Sequence, residues 1–203
     1  MTNIEYPTSL THGLSRSELL NHLQNRLDDA RYQHCLRVEA TARALATQLG
    51  ADVDRAGLAG LLHDYAKQIP VTTYRETIIR NGFDPDLLNY NRGVWHGIVG
   101  TWFIQQEVGI TDKLVLQAID RHTTGDPAMT VLDQIIFVAD FIEPARALPV
   151  EAKAREAAKT SINEATRIEL ENTLTYLIGQ RLVVYPKTLL TYNAFVTTRA
   201  THA

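Results

Sequence analysis

The residues best suited to chemistry in this sequence are histidines and aspartates that lie within or beside apolar segments. One apolar run leads directly into the pair His63-Asp64, and another ends at Asp140. Burying a carboxylate costs free energy unless the group is paired or bound to a metal ion. A single His-Asp pair is more typical of structure than of ligation, so the interpretation depends on what the rest of the chain adds.

Three further histidines occupy similar positions. His34 lies on the apolar side of a predicted helix, His96 stands in Trp95-His96-Gly97 at a predicted helix start, and His122 ends a helix before a small polar turn. Imidazole and carboxylate together suit iron, manganese or zinc. The pattern therefore predicts a metal centre. Its candidate ligands are His34, His63, Asp64, His96, His122 and Asp140.

The spacing of His63 and Asp64 indicates how such a centre would be shared. Adjacent residues in a helix point about 100° apart, so these two side chains cannot chelate one ion as an i,i+4 pair does. They can instead flank a cluster in which each Asp64 oxygen binds one of two metals while His63 binds one. Two cations of this kind can hold a bridging hydroxide at neutral pH and clamp phosphoryl oxygens.

The elements that must position these residues are helices. Ser15-x-x-Glu18 has the form of a capping box, and apolar residues recur at helical spacing along most of the chain. Further boundaries come from Asp28, Gly50, Asp52, Asp84-Pro85, Thr111, Thr130 and Pro186 as caps or first-turn residues. One helix is expected to start near His96. We predict an all-α fold with one domain over residues 15–198 and a flexible N-terminal lead over residues 1–14.

Composition narrows the functional classes. Of 203 residues, 45% are hydrophobic and 21% charged, with 20 basic against 23 acidic side chains. No strongly basic face for nucleic acid is indicated, and one cysteine, Cys35, cannot form an internal disulfide. No signal peptide or stretch of roughly 18 apolar residues is present, so we expect a cytoplasmic protein without a membrane segment. The long amphipathic C-terminal helices make a homodimer possible.

The order His…His-Asp…His…His…Asp resembles that of the HD-domain phosphohydrolases with a two-metal centre, and thus an HD-domain helical bundle. More closely, the chain resembles the YqeK-like family of symmetrical bis(5′-nucleosyl)-tetraphosphatases, which hydrolyse diadenosine tetraphosphate to two ADP. The resemblance extends from about Arg31 to Asn193. It is carried by RYQHCLRV, GLLHDYAK, WHGIVG, DRHTTG, FVADFIEPAR and VYPKTLLTYN. Departures are a longer N-terminal lead and Phe141 within the last metal motif, and neither removes a ligand.

The resemblance implies roles for individual residues. One metal would be held by His34, His63, Asp64 and Asp140, and Asp64 would bridge to a second that His96 and His122 complete. The catalytic set would be Asp64, His63 and Lys67. Iron is the metal that the family suggests, while the ligand types also permit manganese, cobalt or zinc. Substrate-binding residues would be Arg31, Lys67, His122, Thr123, Thr124, Arg146, Tyr185, Pro186 and Thr188.

Each substrate contact also has a simpler structural interpretation. Arg31 and Lys67 lie three residues from His34 and Asp64, on shared helix faces, but could be surface charges or favour a helix dipole. Thr123 and Thr124 could only cap a helix, and Arg146 could be a loop charge. The segment of Tyr185, Pro186 and Thr188 could receive phosphate at a helix start and stack on a base, or be a turn with a cap.

Two alternatives stay open on the residues alone. The same ligands would serve an HD hydrolase of deoxynucleotides, cyclic nucleotides or a guanosine alarmone. A non-catalytic nucleotide-sensing module would be marked by a lost ligand, and the sequence retains all six.

Overall fold

The computed structural model describes residues 4–200, with side chains described through residue 197. The predicted all-α class is confirmed, since the described residues form helices and no strand. No helix among them is long and apolar enough to cross a membrane. The α-helices are α1 Thr8–Thr11, α2 Arg16–Arg26, α3 Asp29–Leu49, α4 Val53–Leu62, α5 Val71–Arg80, α6 Arg92–Ile98, α7 Gly100–Phe103, α8 Lys113–Arg121, α9 Val131–Ile142, α10 Pro149–Ala158, α11 Ile162–Gly179 and α12 Pro186–Ala200. A 3₁₀ helix spans Pro85–Asn89 and a π-helical segment spans Ile104–Val108.

Most of the predicted helix boundaries are confirmed at the level of hydrogen bonds. Ser15 and Thr130 both form capping boxes, and Gly50 ends α3 with a left-handed φ of 64°. Two predicted boundaries are wrong. Asp112, not Thr111, caps α8, because its carboxylate accepts from two backbone amides of the first turn. Helix α6 begins at Arg92 because Asn91 caps it, so His96 lies inside the helix.

Helix α3 forms the centre of the bundle. It packs against α4 and α9, and α8 in turn packs against both α4 and α9. The approach of α4 to α3 is close at Gly60, where a Cβ atom would lie 3.1 Å from the Val38 carbonyl oxygen and from the Ala42 methyl. Because Gly60 has no side chain, the two helices can lie this close, and the C-terminal end of α4 faces the inner side of α3.

The N-terminal segment is more closely packed than a flexible lead would be. Tyr6 and Leu10 are buried, and the Tyr6 hydroxyl donates to the buried Glu39 carboxylate at 2.5 Å. Arg16 donates to the same carboxylate at 2.5 and 2.9 Å. Tyr6 therefore lies against α3, and His12 Nε2 lies 2.6 Å from the Thr111 hydroxyl before α8. Residues 1–3 of the expected lead lie outside the described residues. The domain limits of 15–198 stay a prediction.

Candidate metal centre

The structure brings all six predicted ligands together at one point of the bundle. They come from five helices or helix ends: His34 from α3, His63 and Asp64 from the end of α4, His96 from α6, His122 from the end of α8, and Asp140 from α9. The four histidines and Asp64 are at most 5% exposed. Each of the three groups of neighbouring ligand atoms could hold a metal ion, since the atoms in each lie within 4.8 Å of one another.

A close helix contact positions the second pair of histidines. At Gly97 a Cβ atom would lie 2.9 Å from the Asp120 carbonyl oxygen, which is closer than a real side chain tolerates. Helices α6 and α8 can therefore approach each other only because residue 97 lacks a side chain. This contact places His96 and His122 with their Nε2 atoms 3.1 Å apart. The close contact between α6 and α8 thus explains why glycine follows His96 in the Trp-His-Gly motif.

The first half of the centre contains His34, His63 and Asp140. The Nε2 atoms of the two histidines are 3.3 Å apart, and Oδ1 of Asp140 lies 3.0 Å from His34 Nε2. Asp64 Oδ2 lies 3.6 Å from His34 and 3.4 Å from His63. Three elements therefore direct nitrogen and oxygen atoms into the same small volume.

The second half contains His96 and His122. Oδ1 of Asp64 lies 3.2 Å from His96 Nε2 and 3.8 Å from His122 Nε2. Because Oδ2 faces the first half, the two oxygens of Asp64 face different pairs of histidines. This is the arrangement that a bridging carboxylate requires.

The hydrogen bonds of the histidines fix which nitrogen faces inward. Nδ1 of His63, His96 and His122 donates to the carbonyl oxygens of Gly60, Arg92 and Ile119 at 2.6–2.7 Å. Nδ1 of His34 donates to Glu143 Oε1 at 3.2 Å. In the neutral ring the inward Nε2 then carries a lone pair. Within each histidine pair the two Nε2 atoms are 3.1–3.3 Å apart. Lone pairs on nitrogen atoms this close repel each other unless a positive charge lies between them.

The charges of the cluster favour a cation at the same place. Burial lowers the pKa of His63, but Asp64 and Asp140 outweigh it, so the pKa is raised overall. Burial and the charge of Lys67 lower the pKa of His96 to about 4, so this ring is neutral at pH 7. Burial opposes ionisation of Asp64, yet His63 and Lys67 hold its pKa well below the usual range. The ionised Asp64 carboxylate and the neutral His96 ring are thus in the forms that bind metal.

One further observation supports a metal at this point. Oδ1 of Asp64 is buried and has no hydrogen-bond partner, although Lys67 Nζ lies 3.4 Å away. A buried, ionised oxygen without a partner is rare in proteins. Nitrogen and carboxylate donors with outer hydrogen bonds on each histidine are typical of transition-metal sites. The residues therefore fit one or two divalent transition metals.

Three cations flank the carboxylates. Arg31 Nη1 lies 2.7 Å from Asp64 Oδ2, Lys67 Nζ lies 2.9 Å from His96 Nε2, and Arg146 Nη2 lies 3.3 Å from Asp140 Oδ1. Each of these side chains is roughly one third exposed or more, so each also faces solvent. The structure thus places all three beside the ligands, as the sequence analysis expected.

A cavity of about 450 Å³ adjoins the His122 side of the centre. Thr123, Thr124, Tyr185 and Thr188 line it, and Pro186 begins α12 beside them. The Thr123 hydroxyl is buried without a hydrogen-bond partner. The predicted substrate residues on this side therefore share one cavity, which we call the aromatic cavity. That it binds substrate stays a prediction.

Sequence reasoning missed several residues. The Tyr90 ring lies 4.8 Å from that of Tyr185 in an edge-to-face contact, and Tyr90 and Asn91 line the aromatic cavity. Glu143 orients His34, and Arg37 Nε donates to the second Glu143 oxygen at 2.6 Å. The only signal for Glu143 was its place three residues after Asp140. Nothing local marked Tyr90, because its contact joins distant segments.

Comparison with known proteins agrees with this geometry. The family model described as HD domain matches residues 31–145, which contain all six candidate ligands. The symmetrical bis(5′-nucleosyl)-tetraphosphatase of Bacillus subtilis (strain 168) is 39% identical over 90% of this chain and 98% of its own length. That of Halalkalibacterium halodurans is 42% identical over 89% of this chain and 96% of its own length.

A solved structure shares the fold. The crystal structure of a predicted HD superfamily hydrolase involved in NAD metabolism, from Clostridium acetobutylicum, superposes with a TM-score of 0.86 at 33% identity. The match covers 91% of this chain and 98% of that chain. The helical bundle is thus similar to that of an HD hydrolase over nearly the whole length.

We predict that replacing the shared carboxylate empties the centre. Asp64→Ala should lower the bound transition metal from about two equivalents per chain to well below one, because Asp64 faces both halves. Elemental analysis of protein purified without chelating resin measures this. His22→Ala, on α2 and outside the cluster, is the control and should keep the wild-type content. Wild-type metal content in a folded Asp64→Ala protein would contradict the two-metal interpretation.

Proposed function

Because the chain belongs to the HD-domain family, and within it to the symmetrical bis(5′-nucleosyl)-tetraphosphatases, we propose that it hydrolyses diadenosine tetraphosphate to two ADP. The new bond joins a water oxygen to one of the two central phosphorus atoms. The bond between that phosphorus and the central bridging oxygen breaks. One dinucleotide and one water thus give two ADP.

The observation that carries the proposal is the arrangement around Asp64. Four imidazole Nε2 atoms and the carboxylates of Asp64 and Asp140 converge, and three cationic side chains surround them on the solvent side. A transferring phosphoryl group needs an anion-binding site of this kind, because its charge is spread over several oxygens. The wide aromatic cavity beside it offers room for one nucleoside.

The residues that would hold the metals are His34, His63, Asp64 and Asp140 on one side, and His96 and His122 with Asp64 on the other. When bound, two divalent metals supply an activated water at neutral pH and Lewis-acid stabilisation of phosphoryl oxygens. We propose iron as the resident metal, with manganese, cobalt or zinc permitted by the same donors.

The chain's own residues bind and orient the polyphosphate. Lys67 Nζ lies within 3.4 Å of both His96 Nε2 and Asp64 Oδ1, at the second half of the centre. Arg31 and Arg146 flank the first half. Their charges offset the roughly −4 charge of the bridging polyphosphate, and Thr123 adds a neutral donor. ADP is a good leaving group, so no strong general acid is required.

The aromatic cavity would hold one adenosine. Tyr90 and Tyr185 supply aromatic surface at its wall, and Asn89 and Asn91 supply amide groups. Its lining combines apolar and polar side chains, as is usual for sites that bind small ligands. Binding one ADP half at a fixed distance from Asp64 selects which phosphorus lies beside the candidate ligands. Symmetrical cleavage is therefore a consequence of positioning. We propose that the enzyme acts in the cytoplasm, and the homodimer stays a prediction.

We predict the products from this arrangement. Metal-loaded enzyme incubated with diadenosine tetraphosphate should give ADP alone, in preference to cleavage of ATP, deoxynucleotides or cyclic dinucleotides. Ion-exchange chromatography of the products measures it. His63→Ala provides the control for the metal centre and should be inactive while keeping a helical circular dichroism spectrum. AMP and ATP as products would show asymmetrical cleavage and contradict the proposal.

We predict a second effect for the phosphate-binding cations. Lys67→Ala and Arg146→Ala should each lower kcat/KM by roughly tenfold to a thousandfold, because charged hydrogen bonds to an anion contribute about 1.5–3 kcal/mol and more in a transition state. Steady-state kinetics measures this. Lys159→Ala removes a lysine that is exposed on the side of the bundle and should match wild type. If both variants keep wild-type kinetics, the two side chains are surface charges that do not bind the substrate.

A further inference from the structure

A second depression adjoins the His34 side of the metal centre, whereas the aromatic cavity adjoins the His122 side. It has a volume of about 380 Å³, and its lining includes Ala30, Arg31, Arg37, Gln68 and Arg146. We call it the arginine groove. His34 is part of its wall, as Thr123 and Thr124 beside His122 are part of the aromatic cavity. The two depressions therefore approach different halves of the centre.

The chemistry of the two depressions differs. The arginine groove contains three guanidinium groups, each between roughly 30% and 40% exposed. Two carboxylates also line it, but both are engaged. Asp28 accepts from the Arg31 amide and the Gln68 side chain, and Glu143 accepts from Arg37 and the Ala145 amide. Arg146 Nε is buried without a hydrogen-bond partner. Each guanidinium also contacts a carboxylate, Arg31 that of Asp64, Arg37 that of Glu143 and Arg146 that of Asp140. Because a guanidinium carries five N–H donors, donor capacity remains on all three.

Guanidinium groups with unused donors bind phosphate in a planar, two-point manner. The aromatic cavity, in contrast, has aromatic and amide groups suited to a nucleoside. A substrate with two identical nucleoside diphosphate halves extends to both sides of the phosphorus that is attacked. If one half lies in the aromatic cavity, the direction left for the other half leads across Asp64 toward the arginine groove.

From this geometry, and resting on the proposed function, we infer that the arginine groove binds the second nucleoside diphosphate half of the substrate, which departs after cleavage. Arg31 and Arg37 are its phosphate-binding residues, and Arg146 lines the same groove beside Asp140. The groove thereby selects dinucleoside polyphosphates over mononucleotides, since a mononucleotide fills only the aromatic cavity. Arg37 and Gln68 are not candidate metal ligands. Arg37 contacts Glu143, and Gln68 contacts Asp28.

Ala30 allows a direct test, because it is exposed, lines the groove and has no side-chain bond to lose. Ala30→Glu places a negative charge beside the arginines. KM for diadenosine tetraphosphate should rise tenfold or more, because the new carboxylate repels the negatively charged phosphates of the substrate. The inhibition constant of ADP should change less than threefold, because ADP fills the aromatic cavity.

The control is Ala44→Glu, an equal charge change at an exposed alanine about 21 Å further along α3. It should leave both constants within twofold of wild type. Metal content and thermal melting verify that each variant is folded and loaded. An unchanged KM in Ala30→Glu overturns the inference while the proposed function stands. An equal loss of dinucleotide and ADP binding also overturns it, since the effect would then lie in the centre. Wild-type enzyme that fails to cleave the dinucleotide overturns both proposals.

Discussion

The structure depends on the burial of one ionised carboxylate. Asp64 is fully buried, and an isolated charge in that position would cost far more free energy than a domain of this size has to spare. Four imidazole rings from four helical segments surround it, and Arg31 and Lys67 close the solvent side. The helices must therefore meet where Asp64 lies. Gly60 and Gly97 provide the close contacts that let them do so.

The same carboxylate divides the site into two halves. Its two oxygens face different histidine pairs, and each half has its own adjoining depression. A substrate with two equal halves joined by phosphates matches this arrangement of two depressions on either half of one centre. The outer hydrogen bonds of the four histidines also differ. His34, beside the arginine groove, is oriented by the Glu143 carboxylate, while the other three rings are oriented by backbone carbonyl groups. Burial raises the pKa of Glu143, but Arg37 and the Ala145 amide lower it to about 2, so it stays charged.

The sequence was sufficient for the features that are local. Apolar runs ending at His63-Asp64 and Asp140 identified the buried carboxylates. A capping box at Ser15 and a cap at Thr130 marked helix starts. It was insufficient for features that join distant segments. The contact of Tyr6 with Glu39 spans 33 positions, and that of His34 with Glu143 spans 109. Neither has a periodicity or a motif. The start of α6 was misplaced because Asn91 caps it through a side chain that looks like an ordinary loop residue.

A crystal structure of metal-loaded protein, with anomalous data collected at the absorption edge of the bound metal, tests the two-metal centre directly. We expect two anomalous peaks about 3.5–4 Å apart, with the carboxylate of Asp64 between them. One should lie within ligand distance of His34, His63 and Asp140, and the other within ligand distance of His96 and His122. A single peak, or peaks away from Asp64, would contradict a two-metal centre built from these six residues.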